Sequence, residues 1–251
     1  MKKIENIEYS KKHNEKLDVY LPDEKGFITV IYFHGGGIVA GDKADSFYVE
    51  IAERFAENGY AFVSVNYRMY PNAKFPDFLE DAAEAVAYTK KHIPEWGGSG
   101  EVMISGQSAG AWMSLMLCLN KKYLNAVGID PSEISAWLID SAQTTTHFNV
   151  LKYELGEDPN LQRINEFAPQ FFVDAQTSFS KMLLIFYEND MPCRKEQNML
   201  FYKSVLLFNK EADIVYKTLP GEHCHGSTQK DADGEFAYVK TAFAWLKEKG
   251  R

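Results

Sequence analysis

"VMISGQSAGAW", residues 102–112, is the stretch on which the reading of this chain turns. Val102 to Ser105 suit a buried β-strand. Gly106-Gln107-Ser108-Ala109-Gly110 then interrupts, and "AGAWMSLMLCLNKKY" (109–123) reads as a helix. A serine between two glycines at a strand-to-helix junction is the G-x-S-x-G pattern. The turn lifts its middle residue above the sheet. Small neighbours are needed because helix and strand backbones pass close by, and Gly106, Ala109 and Gly110 supply them. The helix N-terminus also offers its positive dipole end to developing negative charge. Ser108 is therefore expected to be a nucleophile.

Outward from this point the chain alternates strand and helix. "IENIEYS" (4–10) and "KLDVYLP" (16–22) alternate like two strands joined by a polar turn. "FITVIYFHGGG" (27–37) is an apolar strand opening into glycines. "SFYVEIAERFAENG" (46–59) has helical spacing and a glycine stop, and "YAFVSVNYR" (60–68) is a strand. "FPDFLEDAAEAVAYTKKHIPEWG" (75–97) is a long amphipathic helix with proline in its first turn. Strands follow at 134–142 and 181–190, a helix at 193–210, a strand at 213–221 and a closing helix at 234–250. Such alternation builds a mostly parallel sheet with helices on both faces. The first two strands should pair antiparallel and extend one edge. Residues 143–180, rich in Phe and Tyr without one clean period, are expected to form a cap-like insertion over a site. No linker composition divides the chain, so residues 1–251 are read as one domain.

The bulk numbers narrow the function. A formal net charge of −8 and scattered lysines weigh against a nucleic-acid partner, which needs a basic stripe. No apolar run approaches the length of a membrane span. The polar start "MKKIENIEYSKKHNEK" does not resemble a signal peptide. Cys118, Cys193 and Cys224 are odd in number and lack CxxC spacing, which predicts reduced thiols and a cytoplasmic location.

A serine hydroxyl needs a base, the base needs an orienting acid, and the oxyanion needs donors. "LPGEHCHGS" (219–227), after the last strand, offers His223 and His225. His225 is expected to be the base, because the following Gly226 gives its loop room to turn; His223 is the alternative. "IFYENDMP" (185–192) offers Asp190 as the acid, with Asp140 and Glu188 as rivals. In "FHGGGIVAG" (33–41) the N–H groups of Gly35 and Gly36 are expected to form the oxyanion hole with that of Ala109, and His34 to brace the loop. Neighbours such as His223, Cys224 and His225 cannot all point at one ion, so no metal and no organic cofactor is expected.

Taken together, "HGGG" (34–37), "VNYRMYPNAKFPDFLEDA" (65–82), "GQSAG" (106–110), "END" (188–190) and "HG" (225–226) resemble the α/β-hydrolase fold. More narrowly they resemble compact bacterial carboxylesterases of the hormone-sensitive-lipase group and their feruloyl-esterase and kynurenine-formamidase relatives. The resemblance implies a serine carboxylesterase acting on small or plant-derived esters, aromatic acyl esters among them, with a formamidase-type amidase or a non-catalytic binding protein as alternatives. It also implies that Asp81 braces the core. The chain departs from the lipase-like pattern in carrying Gln107 where Asp is common before the nucleophile, in having a short N-terminal stretch, and in reading "ENDMPC" at the acid loop. The partner implied is a small-molecule ester. Oligomeric state has no signature in the sequence.

Overall fold

The computed structural model describes residues 1–10 and 12–250. Eight strands form one sheet: β1 (Lys2–Ser10), β2 (Glu15–Leu21), β3 (Thr29–Phe33), β4 (Ala61–Val65), β5 (Val102–Gln107), β6 (Ala136–Asp140), β7 (Met182–Asn189) and β8 (Ile214–Glu222). Their spatial order is β1-β2-β4-β3-β5-β6-β7-β8. β1 pairs antiparallel with β2 and β2 antiparallel with β4, while every later pairing is parallel. The expected edge hairpin is thus present; Lys11, between these strands in sequence, lies outside the described residues.

The helices are α1 (Ser46–Glu57), α2 (Asp77–Trp96), α3 (Ala109–Leu119), α4 (Lys122–Ala126), α5 (Phe148–Val150, continued by a π turn to Leu155), α6 (Arg194–Phe208), α7 (His225–Thr228) and α8 (Ala237–Glu248). Strand alternation sends side chains to two cores, one on each face of the sheet. Ile31, Phe33, Val63 and Val65 pack with α2, α3 and α6. Val30, Tyr32 and Phe62 face the other way and pack with Ile51 and Phe55 of α1 and Tyr238 and Trp245 of α8. Helix α3 is buried along residues 109–118, so it has no solvent stripe and reads as apolar all round.

Two side chains tie the strand-to-helix connections. Asp81 is fully buried on α2 and accepts from the guanidinium of Arg68 through Nε and Nη2, both at 2.8 Å, and from the Arg68 amide at 2.9 Å. This is the bracing role expected for Asp81. Lys43 and Asp18, both buried, pair at 2.9 Å between the loop after β3 and strand β2.

Residues 143–180 leave β6 and return to β7 as α5, the π turn, a 3-10 turn at Pro169–Phe172 and irregular chain. Only its start is packed down, with Gln143 to His147 all buried, while most of residues 152–180 are exposed or half-buried. His147 caps α5 by accepting from the Asn149 amide at 3.2 Å, and its ring lies 5.4 Å from that of Trp112.

Candidate active site

Parallel strands β3, β5, β6, β7 and β8 end at one rim, where open α/β sheets hold their sites. At the end of β5 the chain turns sharply into α3. Ser108 takes φ 52° and ψ −110°, a region that non-glycine residues seldom occupy. Its amide donates to the Asp140 carbonyl at 2.8 Å, which ties the turn to the neighbouring strand. The flanking glycines are required by close approach. A Cβ on Gly106 would stand 2.4 Å from backbone atoms of Gly110, and one on Gly110 would stand 2.0 Å from the Phe33 carbonyl oxygen.

Three side chains from three loops meet here. His223 Nε2 lies 2.8 Å from Ser108 Oγ, and His223 Nδ1 lies 2.5 Å from Asp190 Oδ1. The Asp190 side chain is 1% exposed and that oxygen also accepts from the Met191 amide at 2.7 Å. Geometrically this is a hydroxyl, an imidazole within hydrogen-bond reach of it, and a carboxylate on the far nitrogen of that imidazole.

The imidazole against Ser108 belongs to His223, not to His225, and the reason is local. β8 runs to Glu222, so residue 223 is the first beyond the strand end and swings over the rim. His225 opens α7 two residues later, and its ring packs over Gly221, where a Cβ would meet it at 2.6–2.8 Å. Gly226 provides no slack, because it is buried against the Tyr187 hydroxyl. A four-residue helix leaves no periodicity to read, so the sequence carried no sign of which histidine faced inward.

The glycine loop also differs from expectation. The Gly35 amide donates to Tyr48 Oη at 2.8 Å, so it is engaged inside the protein and is not a free donor at the site. Gly36 follows with φ 97°, and its carbonyl accepts from the amides of Val39 and Ala40. Ala109 is the first residue of α3, and its N–H has no intrahelical acceptor. His34 braces the loop as expected: it is fully buried, its ring stacks on Tyr67 at 4.4 Å, and its Nδ1 is 2.7 Å from the Gly35 carbonyl. Burial lowers its pKa below the ordinary histidine value, which keeps it neutral.

The two rival acids stand elsewhere. Asp140 ends β6 fully buried, beside Ser227 and Ser141 rather than the imidazole. Burial pushes its pKa up to about 7. Glu188 is exposed on β7. Arg194, at the start of α6, is buried and donates to the Ser141 carbonyl at 3.3 Å; burial lowers its pKa, while the Asp190 carboxylate favours its charge.

Beside the acid loop is a cavity of about 310 Å³ lined by Gln143, Phe148, Gln162, Met191, Pro192 and Arg194, among others. The Phe148 ring reaches the glycine loop, standing 3.1 Å from where a Gly37 Cβ would be. Among the described residues there is no grouping of His, Cys, Asp and Glu able to hold a metal ion, and no helix long and apolar enough to cross a membrane.

A sheet of this order, with a strained serine elbow after β5, defines an α/β-hydrolase-fold chain. It belongs to the BD-FAE family, whose model matches residues 17–150, more than half of the sequence. A probable isoprenylcysteine alpha-carbonyl methylesterase of Oryza sativa subsp. japonica is 28% identical over 148 residues, covering 58% of this chain and 33% of that protein. Lipase 2 of Moraxella sp. (strain TA144) is 35% identical over 89 residues, covering 35% and 20%. The chain thus spans a third or less of the length of these curated relatives. Among solved structures, Thermogutta terrifontis esterase 2 phosphoramylated by tabun superposes with a TM-score of 0.78 at 20% identity, covering 97% of this chain and 94% of that one. Esterase B from Lactobacillus rhamnosis superposes with a TM-score of 0.78 at 17% identity, covering 98% and 84%. At these identities the structural likeness speaks for the fold.

Proposed function

We propose that this chain is a serine carboxylesterase in which Ser108 is the nucleophile, His223 the base and Asp190 the orienting acid. The observation that carries the reading is the hydrogen-bonded chain from Ser108 Oγ through both nitrogens of His223 to Asp190. The BD-FAE match and the esterase and lipase names of its relatives support the same reaction class.

In the proposed reaction, His223 Nε2 takes the Ser108 hydroxyl proton as Oγ attacks the ester carbonyl carbon. Asp190 accepts from Nδ1–H and stabilises the imidazolium. The N–H groups of Gly36 and Ala109 receive the oxyanion, aided by the positive end of α3. His223 returns the proton to the departing alcohol oxygen and an acyl-enzyme remains. A water, deprotonated by His223, attacks that acyl carbon, and collapse releases the acid and restores Ser108.

The substrate we propose is a small ester. A cavity of about 310 Å³, bordered by Met191 next to Asp190 but by neither Ser108 nor His223, is at the small end for ligand sites and supports a short chain or a single ring. Phe148 and Met191 give it an apolar wall suited to an aromatic or short aliphatic group. The test is labelling with a fluorophosphonate probe, followed by hydrolysis of p-nitrophenyl esters of graded acyl length. The proposal expects one label, on Ser108, and turnover that falls beyond short acyl chains. Absence of both label and turnover would remove it.

A further inference from the structure

Behind the triad, four buried side chains form one line of hydrogen bonds. The Gly35 N–H donates to Tyr48 Oη at 2.8 Å. Tyr48 O–H donates to Gln107 Oε1 at 2.5 Å. Gln107 Nε2–H donates to Ser227 Oγ at 2.7 Å. Ser227 O–H donates to Asp140 Oδ2 at 2.5 Å. Every donor points the same way, from the glycine loop toward one buried carboxylate, so each bond polarises the next. The members come from α1, the end of β5, α7 and the end of β6, and none belongs to the Ser108–His223–Asp190 chain.

We propose that Gln107 is a positioning residue: through Tyr48 and Ser227 it locks the oxyanion loop and the histidine loop to one frame. This rests on the esterase reading above. At one end Tyr48 holds the Gly35 amide inward, and this fixes the His34–Gly35 peptide, one residue before the Gly36 N–H. At the other, the Ser227 backbone N–H donates to the Cys224 carbonyl at 3.0 Å, which holds the turn directly after His223. Only a side chain that accepts at one atom and donates at the other can sit between a tyrosine donor and a serine whose own proton is committed to a carboxylate. Glutamine does both. A carboxylate at position 107 could accept from Tyr48 but could not donate to Ser227.

The surroundings make this testable by pH. The charged or titrating groups facing this volume are Asp140 on β6, Asp190 and Arg194 after β7, and His223 after β8. Tyr48 on α1, Tyr187 on β7 and Cys224 are held protonated by burial, all well above their ordinary values. In Gln107→Glu a protonated carboxyl can still accept and donate as the amide does. Once ionised it removes the donor to Ser227 and adds a second negative charge beside Asp140.

The experiment compares wild type, Gln107→Glu and Gln107→Leu on p-nitrophenyl acetate between pH 5.5 and 8.5. Thermal unfolding confirms that each variant is folded. For Gln107→Leu we expect kcat to fall on the order of 10²-fold, with KM little changed, as for misplaced catalytic groups. For Gln107→Glu the ratio of its kcat to that of wild type falls about tenfold or more as pH rises and the introduced carboxyl ionises. Amide exchange reads the same lock without turnover: the peptide containing Gly35 exchanges at least about tenfold faster in Gln107→Leu. If wild type itself is inert to esters, the esterase reading fails, and exchange at Gly35 still decides the lock. A flat pH ratio, a loss confined to KM, or unchanged Gly35 exchange overturns the proposal.

Discussion

Gly110 on α3 and Phe33 at the end of β3 are in backbone contact: a Cβ on Gly110 would stand 2.0 Å from the Phe33 carbonyl oxygen. The clashing atom is main chain and cannot swing aside. Gly110 has ordinary helical φ, so an alanine there is opposed by space alone. Gly110→Ala is expected to destabilise the fold by about 3 kcal/mol or more, or to push α3 away from the sheet and spoil the Ser108 turn. Chemical denaturation together with fluorophosphonate labelling rates would register both effects.

Asp140 gives the fold a pH dependence of known sign. Burial raises its folded pKa to about 7, above the ordinary aspartate value of 3.8. A raised folded pKa means the folded state holds the proton more tightly. That contribution is complete below about pH 4 and is lost as pH rises through about 7. Asp140→Asn removes the dependence. Its stability relative to wild type should therefore rise from pH 4 to pH 8, by at most about 4 kcal/mol. Urea midpoints of both proteins across that range provide the measurement, and a difference constant with pH would contradict it.

The Arg68–Asp81 pair predicts a structural loss and not a chemical one. Asp81→Ala leaves a partly buried guanidinium facing an empty carboxylate seat, at a cost of about 3 kcal/mol. Tm should fall by several degrees. In the surviving folded fraction, KM and the pH profile of kcat should match wild type, since neither residue hydrogen-bonds to the Ser108–His223–Asp190 chain.

Much of this architecture could be read along the chain, because strands and long helices write their burial into local periodicity. Alternation in "TVIYF" (29–33) separates the two cores residue by residue, and the apolar, all-round helix 109–119 announces its own burial. The G-x-S-x-G turn was legible because close backbone approach admits only small residues there. What escaped depended on contacts between distant segments. Gly35 looked like a free donor because its acceptor, Tyr48, sits on α1 and meets it only after the sheet has formed. His225 looked suitable because of Gly226, whereas the choice is made by where β8 ends and by a four-residue helix too short to leave a pattern. Gln107 read as a departure from the lipase-like motif. Its role requires Ser227, 120 residues further on.

The most direct test of the account is the turnover of p-nitrophenyl acetate by His223→Ala beside His225→Ala, each checked for folding by circular dichroism. The account predicts that His223→Ala loses on the order of 10⁴-fold or more in kcat, whereas His225→Ala stays within about tenfold of wild type. A His223→Ala enzyme with near-normal turnover, or a collapse of activity in His225→Ala alone, would contradict it.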